Sequence, residues 1–437
     1  MSRGLQSEVW HGRPAAAPVR IVVLNQTFPP DVVSSAQHAG DLARELRALG
    51  HEVTIIASRR AYDEPSVRFP STRDWYGVEV IRVGCSAFGK GARWRRAADF
   101  GTFLWSCLFR LMLLPRCDVV VAMTSPPLVS FLAAVYARLR GGHLVLWVMD
   151  LNPDEAIAAG WLKERSVAAR VLEWCLTYSL RWAERIVVLD RFMKERVEAR
   201  FGDPQIARKL IVIAPWSHDS IVRYDSEGRR AFRRMHGIDN KFVVMYSGNH
   251  SPCHPLQTLL EAAQRLNDHS EIAFCFVGGG SEFGKVKQFA RDHGLNNVVC
   301  LPYQPLGEVS ASLSAADLHA VVMGDPFVGI LHPCKIYNVL RLGIPCLYIG
   351  APASHVTDLM SKPKVEDWAR STRHGDADGV VAHILQAAAA GPRRCQSEVR
   401  LSEMFSQQGL VKQLVDVIEN AGAGTMVEPI ENAYAGR

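Results

Sequence analysis

Short runs of apolar, mostly β-branched residues recur along this chain, and most are followed by an amphipathic stretch of helical length. Val19-Arg-Ile-Val-Val-Leu24 is the first run. After a loop at 25–35, the stretch 36–49 places Leu42, Ala43, Leu46 and Leu49 on one face; Gly50 stops it, and Val53-Thr-Ile-Ile-Ala57 follows. The pattern predicts strand, helix and strand in one βαβ unit. It recurs with strands at 118–123, 143–148, 186–189 and 210–213, and a helix at 128–139. A strand apolar at nearly every position has no polar face to offer to water. Such strands belong in a parallel sheet covered by helices on both sides.

The series then starts again. Residues 217–240 are polar and charged, and beyond them strands are predicted at 242–246, 272–277, 298–301, 318–322 and 346–349, with helices at 256–266 and 283–293. The 437 residues therefore divide into a loose tail at 1–17, a first doubly wound domain at 18–216, a linker at 217–240, a second doubly wound domain at 241–400, a helix at 401–421 placed to cross back to the first domain, and a disordered tail at 422–437. Ligands bind such sheets outside the C-terminal strand ends, so the cleft between two of them is the expected site.

Composition narrows the function classes. A net charge of +6, without a basic stripe or an RNA- or zinc-finger motif, argues against nucleic acid as a partner. The ten cysteines are scattered, mostly inside apolar runs and with no CxxC pair, which suits buried thiols in a reducing, cytoplasmic setting. The first 17 residues lack the apolar core of a secretion signal. No uncharged apolar run reaches the roughly 18–20 residues of a membrane span.

The stretch with most chemical content is Gly329-Ile-Leu-His-Pro-Cys-Lys-Ile-Tyr-Asn-Val-Leu-Arg-Leu-Gly-Ile-Pro345. Gly329 and Pro333 delay a helix until about Cys334. Ile336, Val339, Leu340 and Leu342 give that helix one buried side, and Gly343 and Pro345 end it. Lys335 then sits in the first turn, where an ammonium and free N–H groups make an anion site; an ordinary surface lysine is the competing reading. Gly278-Gly-Gly280 ends a strand and opens a helix, either as a phosphate-binding nest or as a tight turn. Asp31, in the loop after the first strand, and Asp150, at a strand tip, are placed to take a proton from a hydroxyl or to cap a turn. No metal signature occurs: there is no HExxH, and Asp376-Ala-Asp378 reads as a helix start.

Taken together these parts resemble the family 4 (group 1) glycosyltransferases of the GT-B fold, above all bacterial exopolysaccharide and O-antigen enzymes of the colanic acid type. The resemblance runs over about 19–420. It rests on Phe28-Pro-Pro-Asp31 with Gly50-His-Glu-Val53, Trp147-Val-Met-Asp150 with Pro153, Pro215-Trp216, Tyr246-Ser-Gly-Asn249, and Pro333-Cys-Lys-Ile-Tyr-Asn338 with Gly343-Ile-Pro345. It implies two Rossmann-like α/β domains facing across a cleft, an acceptor-binding first and a nucleotide-sugar-binding second. It implies transfer of a sugar from a UDP- or GDP-linked donor, with anomeric retention and without metal or other cofactor, to a saccharide or lipid-linked hydroxyl. Asp150, Asp31 and Lys335 would carry the catalysis. Gly248, Asn249, Gly278, Gly279, Gly280, Tyr303, Gly329, Ile330, Lys335 and Asn338 would hold the donor.

The chain departs from the family pattern at several points. The two glutamates usual around the Lys335 helix fall on Ile330 and Asn338, and Ser34, Ser35 and Ala36 stand where the opening loop often has glycine. The loop after Asn249 is His250-Ser-Pro-Cys-His-Pro255 where the family usually has a basic residue. These departures keep two alternatives open, a non-catalytic nucleotide-sugar-binding subunit and an epimerase of the same fold. Arg93-Trp-Arg-Arg96, the apolar run to Leu114 and Arg116 suit either a core helix or a peripheral contact with the anionic inner face of the plasma membrane through 93–116.

Overall fold

A computed structural model describes residues 18–31, 33–61, 66–86, 88, 93–216, 222–362, 365–394 and 405–423. The tails expected at 1–17 and beyond 423, and parts of the expected linker and of the 401–421 helix, lie outside the described residues. In the first domain, β1 (Arg20–Leu24), β2 (Glu52–Ser58), β3 (Thr72–Trp75), β4 (Val78–Val83), β5 (Val119–Ala122), β6 (His143–Trp147), β7 (Arg185–Val188) and β8 (Leu210–Val212) form one sheet. Its order is β3-β4-β2-β1-β5-β6-β7-β8, and every pairing is parallel except β3 with β4. The order reverses at β1, the topological switch point where doubly wound sheets open a crevice.

The unbroken apolar runs have the consequence expected of them. All of Val119, Val120, Val121 and Ala122 are buried, as are Ile21 to Leu24. At about 1.5–3 kcal/mol for each fully buried Val, Leu or Ile side chain, these two central strands anchor the domain. The β3–β4 hairpin was not expected. Tyr76 and Gly77 both have positive φ (54° and 79°), which a two-residue hairpin turn requires.

The second domain repeats the plan with β9 (Phe242–Asn249), β10 (Ile272–Gly279), β11 (Val298–Leu301), β12 (Leu318–Val322), β13 (Cys346–Ile349) and β14 (Ala369–Thr372). Its all-parallel order, β11-β10-β9-β12-β13-β14, reverses between β9 and β12. The segment expected as linker contains a helix, Ser226–Met235, whose Arg229 and Arg233 both pair with Asp317 beside β12. That helix belongs to the second domain. Asp376 caps the helix Ala377–Ala390 by accepting from the Gly379 N–H, and Asp378 pairs with Arg265.

The last helix, Gln407–Gly422, lies on the first domain. Leu410, Leu414, Val417 and Ile418 are buried in that domain's core, and His51 Nε2 is 3.0 Å from Glu419 Oε1.

Candidate active site

The glycines at the ends of β9 and β10 serve a close approach of backbone to backbone. The two strands stay paired out to Gly248–Gly278 and Asn249–Gly279. Gly278 has φ +137°, and a Cβ there would collide with the Gly248 carbonyl; a Cβ on Gly280 would strike Asn249 and His250. Gly279 lies beneath Tyr303, whose ring a Cβ would meet at 2.9 Å and whose hydroxyl is 3.5 Å from the Gly279 carbonyl.

Lys335 opens the helix Lys335–Leu342, which Gly343 ends in the left-handed conformation at φ 64°. Its side chain extends back over the end of β9. The Nζ lies 3.9 Å from the Tyr246 ring centroid and donates to the Tyr246 hydroxyl at 2.7 Å, and that hydroxyl donates to the Asn249 carbonyl at 2.7 Å. A Cβ on Gly248 would come within 3.2 Å of Nζ. Burial lowers the Lys335 pKa to about 7. The imidazoles beside it are neutral: burial, reinforced by the Lys335 charge, lowers His250 to about 4 and holds His254 well below its ordinary value. Among the described residues Lys335 makes no ion pair, so when protonated it is a half-buried cation at the end of β9 without a counter-charge.

The opposing wall comes from the first domain. The Met149 and Asp150 N–H groups both donate to Thr124 Oγ1, at 3.2 and 3.1 Å, which fixes the tip that follows β6. Burial first, and then the charge of Glu155, hold the Asp150 carboxyl well above the usual carboxylate range. Asn152 Nδ2 donates to Glu155 at 3.0 Å. Both carboxylates act electrostatically on the second domain. Burial pushes the Cys253 and Cys334 thiols up to about 12, with Asp150 adding to both shifts and Glu155 to that of Cys253. Asp150 and Glu155 are therefore across the cleft from the loop after β9 and from the residue preceding Lys335.

The other expected site residues have different surroundings. Asp31 is buried beside Arg82, whose guanidinium donates to the carbonyls of Ser58, Phe28 and Pro29; burial lowers Arg82 to about 10, and Asp31 offsets part of that shift. Gly329 (φ +72°) packs on the first domain, where a Cβ would come within 2.6 Å of the Phe192 carbonyl. The Ile330 side chain is buried in the core, and its carbonyl accepts the Leu151 N–H at 3.0 Å. Asn338 is half-buried in the second turn of the Lys335 helix.

Sequence reasoning missed one cluster. Asp190 follows β7 and caps the helix Arg191–Phe201 by accepting from Met193 N–H at 2.8 Å. Its other oxygen accepts from His332 Nδ1 at 2.7 Å; Tyr337 then donates to His332 Nε2 at 2.6 Å, and His355 stacks on His332 at 3.8 Å. Burial works to raise the Asp190 pKa, but the His332 hydrogen bond and the nearby imidazoles outweigh it, leaving about 2. Asp190, His332 and His355 present ligand-type atoms within 4.8 Å of one another, the one such group found among the described residues. Next to it Arg191 grips Asp358 through two contacts of 2.6 and 3.0 Å. These groups join the two domains.

Known proteins similar to this chain are glycosyltransferases. Residues 35–216 match the Glycosyl transferase 4-like domain model. Residues 228–325 match Glycosyl transferases group 1, a match that stops before Lys335. The chain is 23% identical over 334 residues to the putative colanic acid biosynthesis glycosyl transferase WcaI of Escherichia coli (strain K12), covering 74% of this chain and 82% of that one. It is 28% identical over 326 residues to the probable glycosyltransferase WbjE of Pseudomonas aeruginosa, covering 73% and 77%. Among solved structures, Anabaena HepE in complex with UDP-glucose superposes with a TM-score of 0.70 at 14% identity, over 92% of this chain and all of that one.

Proposed function

We propose that this chain, which belongs to the group 1 glycosyltransferases and has their GT-B fold, moves a sugar from a UDP- or GDP-sugar to a hydroxyl acceptor with retention of anomeric configuration and without metal or other cofactor. The observation that carries the reading is Lys335, a half-buried lysine at the end of β9 with no ion-pair partner among the described residues. As the bond from the anomeric carbon to the diphosphate breaks, negative charge grows on the departing oxygen. Protonated Lys335, at the positive end of its helix, stabilises that charge; losing such a group typically costs about 10²–10³ in rate. The chain's single Asp-x-Asp caps the helix Ala377–Ala390 and pairs with Arg265.

Asp150 faces the acceptor. Its raised pKa makes the ionised carboxylate a stronger base, and it accepts the acceptor hydroxyl's proton as the new glycosidic bond forms. Asp31, held beside Arg82, supports the loop after β1. The acceptor class we favour is a lipid-linked saccharide in cell-surface polysaccharide synthesis, used at the cytoplasmic face of the plasma membrane. The 93–116 stretch supports it: Phe103, Cys107 and Leu111 face the core while Trp105, Phe109, Met112 and Leu113 face outward. The test is nucleotide release from a panel of UDP- and GDP-sugars, with and without a lipid-extract acceptor. Acceptor-dependent release that Lys335→Ala abolishes in a folded protein is the expected result. Release in that variant at the wild-type rate refutes the assignment.

A further inference from the structure

Lys335 reaches the end of β9 on a flexible four-carbon stem, and a lysine left to itself on such a stem samples many rotamers. One residue removes that freedom. Tyr246, on β9, is buried in the second domain's core, and the His250 ring meets it edge-on at 4.9 Å. The Lys335 Nζ is 3.9 Å from the Tyr246 ring centroid and 2.7 Å from its hydroxyl oxygen, so the ammonium sits above the hydroxyl end of the ring. The direction of that hydrogen bond is fixed. A phenol has a single proton, and Tyr246 gives it to the Asn249 carbonyl at 2.7 Å, which leaves its oxygen to accept from the ammonium. The oxygen and the ring face both favour a positive charge at this point.

What the tyrosine does not supply is charge. Burial holds its pKa well above the ordinary phenol value, so it stays neutral. The groups around it are neutral as well: burial keeps His250 and His254 uncharged and pushes the Cys253 and Cys334 thiols up to about 12. The carboxyls that add to those thiol shifts, Asp150 and Glu155, belong to the first domain. A carboxylate in place of Tyr246 would hold Nζ as firmly but would cancel the charge that a diphosphate needs. Nor does the tyrosine exhaust the hydrogen bonds of the ammonium. Nζ carries three N–H donors; Tyr246 takes one and leaves the others for phosphate oxygens.

We propose that Tyr246 is the positioning residue for Lys335, an uncharged clamp that sets where the ammonium sits and helps it keep its proton; the idea rests on the donor-binding role read for Lys335 above. Two measurements test it. The first needs no ligand: NMR of the full chain labelled with carbon-13 at lysine Cε and tyrosine Cζ. The Lys335 signal, identified by its loss in Lys335→Met, should titrate near pH 7. One tyrosine signal should move with the same midpoint and stop moving in Lys335→Met. In Tyr246→Phe, which keeps the ring and removes the oxygen, the Lys335 midpoint should fall by about one pH unit, a tenfold loss in proton affinity. The tyrosine signal requires no change at position 246, so the test stands even where Tyr246→Phe does not fold. The second measurement is calorimetry with UDP-glucose or GDP-mannose, whichever binds wild type more tightly. A midpoint falling from about 7 to about 6 lowers the protonated fraction about twofold at pH 6 and about ninefold at pH 8, so the affinity deficit of Tyr246→Phe should widen between the two. Lost packing alone would weaken binding equally at both. An unmoved Lys335 midpoint in Tyr246→Phe, the absence of a tyrosine signal coupled to Lys335, or a deficit equal at pH 6 and pH 8 would each overturn the proposal. A lowered midpoint in Tyr246→Phe beside a wild type that binds neither nucleotide-sugar strikes only the donor-binding reading.

Discussion

Donor binding should be governed by the proton on Lys335. Burial places its pKa at about 7, so the empty protein carries this charge on roughly half its molecules at neutral pH. A diphosphate binds the protonated form and draws the equilibrium toward it, so apparent affinity follows the protonated fraction. With a pKa near 7 that fraction is about 0.9 at pH 6 and about 0.1 at pH 8, a loss of about tenfold in affinity. The probe should be a nucleotide-sugar, because its diester phosphates stay ionised across this range. The assay is calorimetry with whichever UDP- or GDP-sugar shifts the melting temperature, run in buffers of different ionisation enthalpy to count the proton taken up.

Two controls isolate the lysine. Lys335→Met should bind weakly with no pH slope. Asp150→Asn should keep the slope although it removes a second group of raised pKa. His250 and His254 are neutral throughout, so they add nothing. In the empty protein the sign is opposite. The folded pKa lies below the unfolded value of 10.5, so Lys335 contributes stability that increases as pH rises from about 7 toward 10.5. Affinity that stays flat from pH 6 to 8, or a slope that survives in Lys335→Met, refutes the reasoning.

Asp150→Asn should lower turnover by about 10²–10⁴ with donor binding retained, measured as nucleotide release beside thermal shift. Gly278→Ala forces a Cβ onto the Gly248 carbonyl at φ +137°, so it should cost more than about 1 kcal/mol in urea unfolding and weaken donor binding as well. Leu414→Ala, in the returning C-terminal helix, should cost about 2–5 kcal/mol and loosen the first domain, read as faster amide exchange in β5 and β6.

The two sheets were legible because a strand buried on both faces has to be apolar throughout, as Val119–Ala122 is. Edge strands carry no such requirement. Thr72–Trp75 is mostly exposed, and Ala369–Thr372 alternates buried ends with an exposed Arg370 and Ser371, so neither shows an apolar run. Within the cleft, Lys335 could be placed because Pro333 and Gly343 bracket its helix. Carboxylates were harder. Asp150 and Asp190 both end an apolar strand and look alike in one dimension. Only the packing shows that Asp190 is bound by His332 and caps a helix, while Asp150 faces Cys253 and Cys334 across the cleft. Glu155, four residues beyond Leu151, gave no signal apart from its helix start. Ile330, counted as a donor contact, spends its carbonyl on Leu151 and its side chain on the core.

The return of the final helix to the domain where the chain began means that the polypeptide spans the gap twice, once outbound and once homebound. A single cut in either crossing leaves the halves tied by the other. With two crossings in place of one, the lobes cannot turn freely about a single connector.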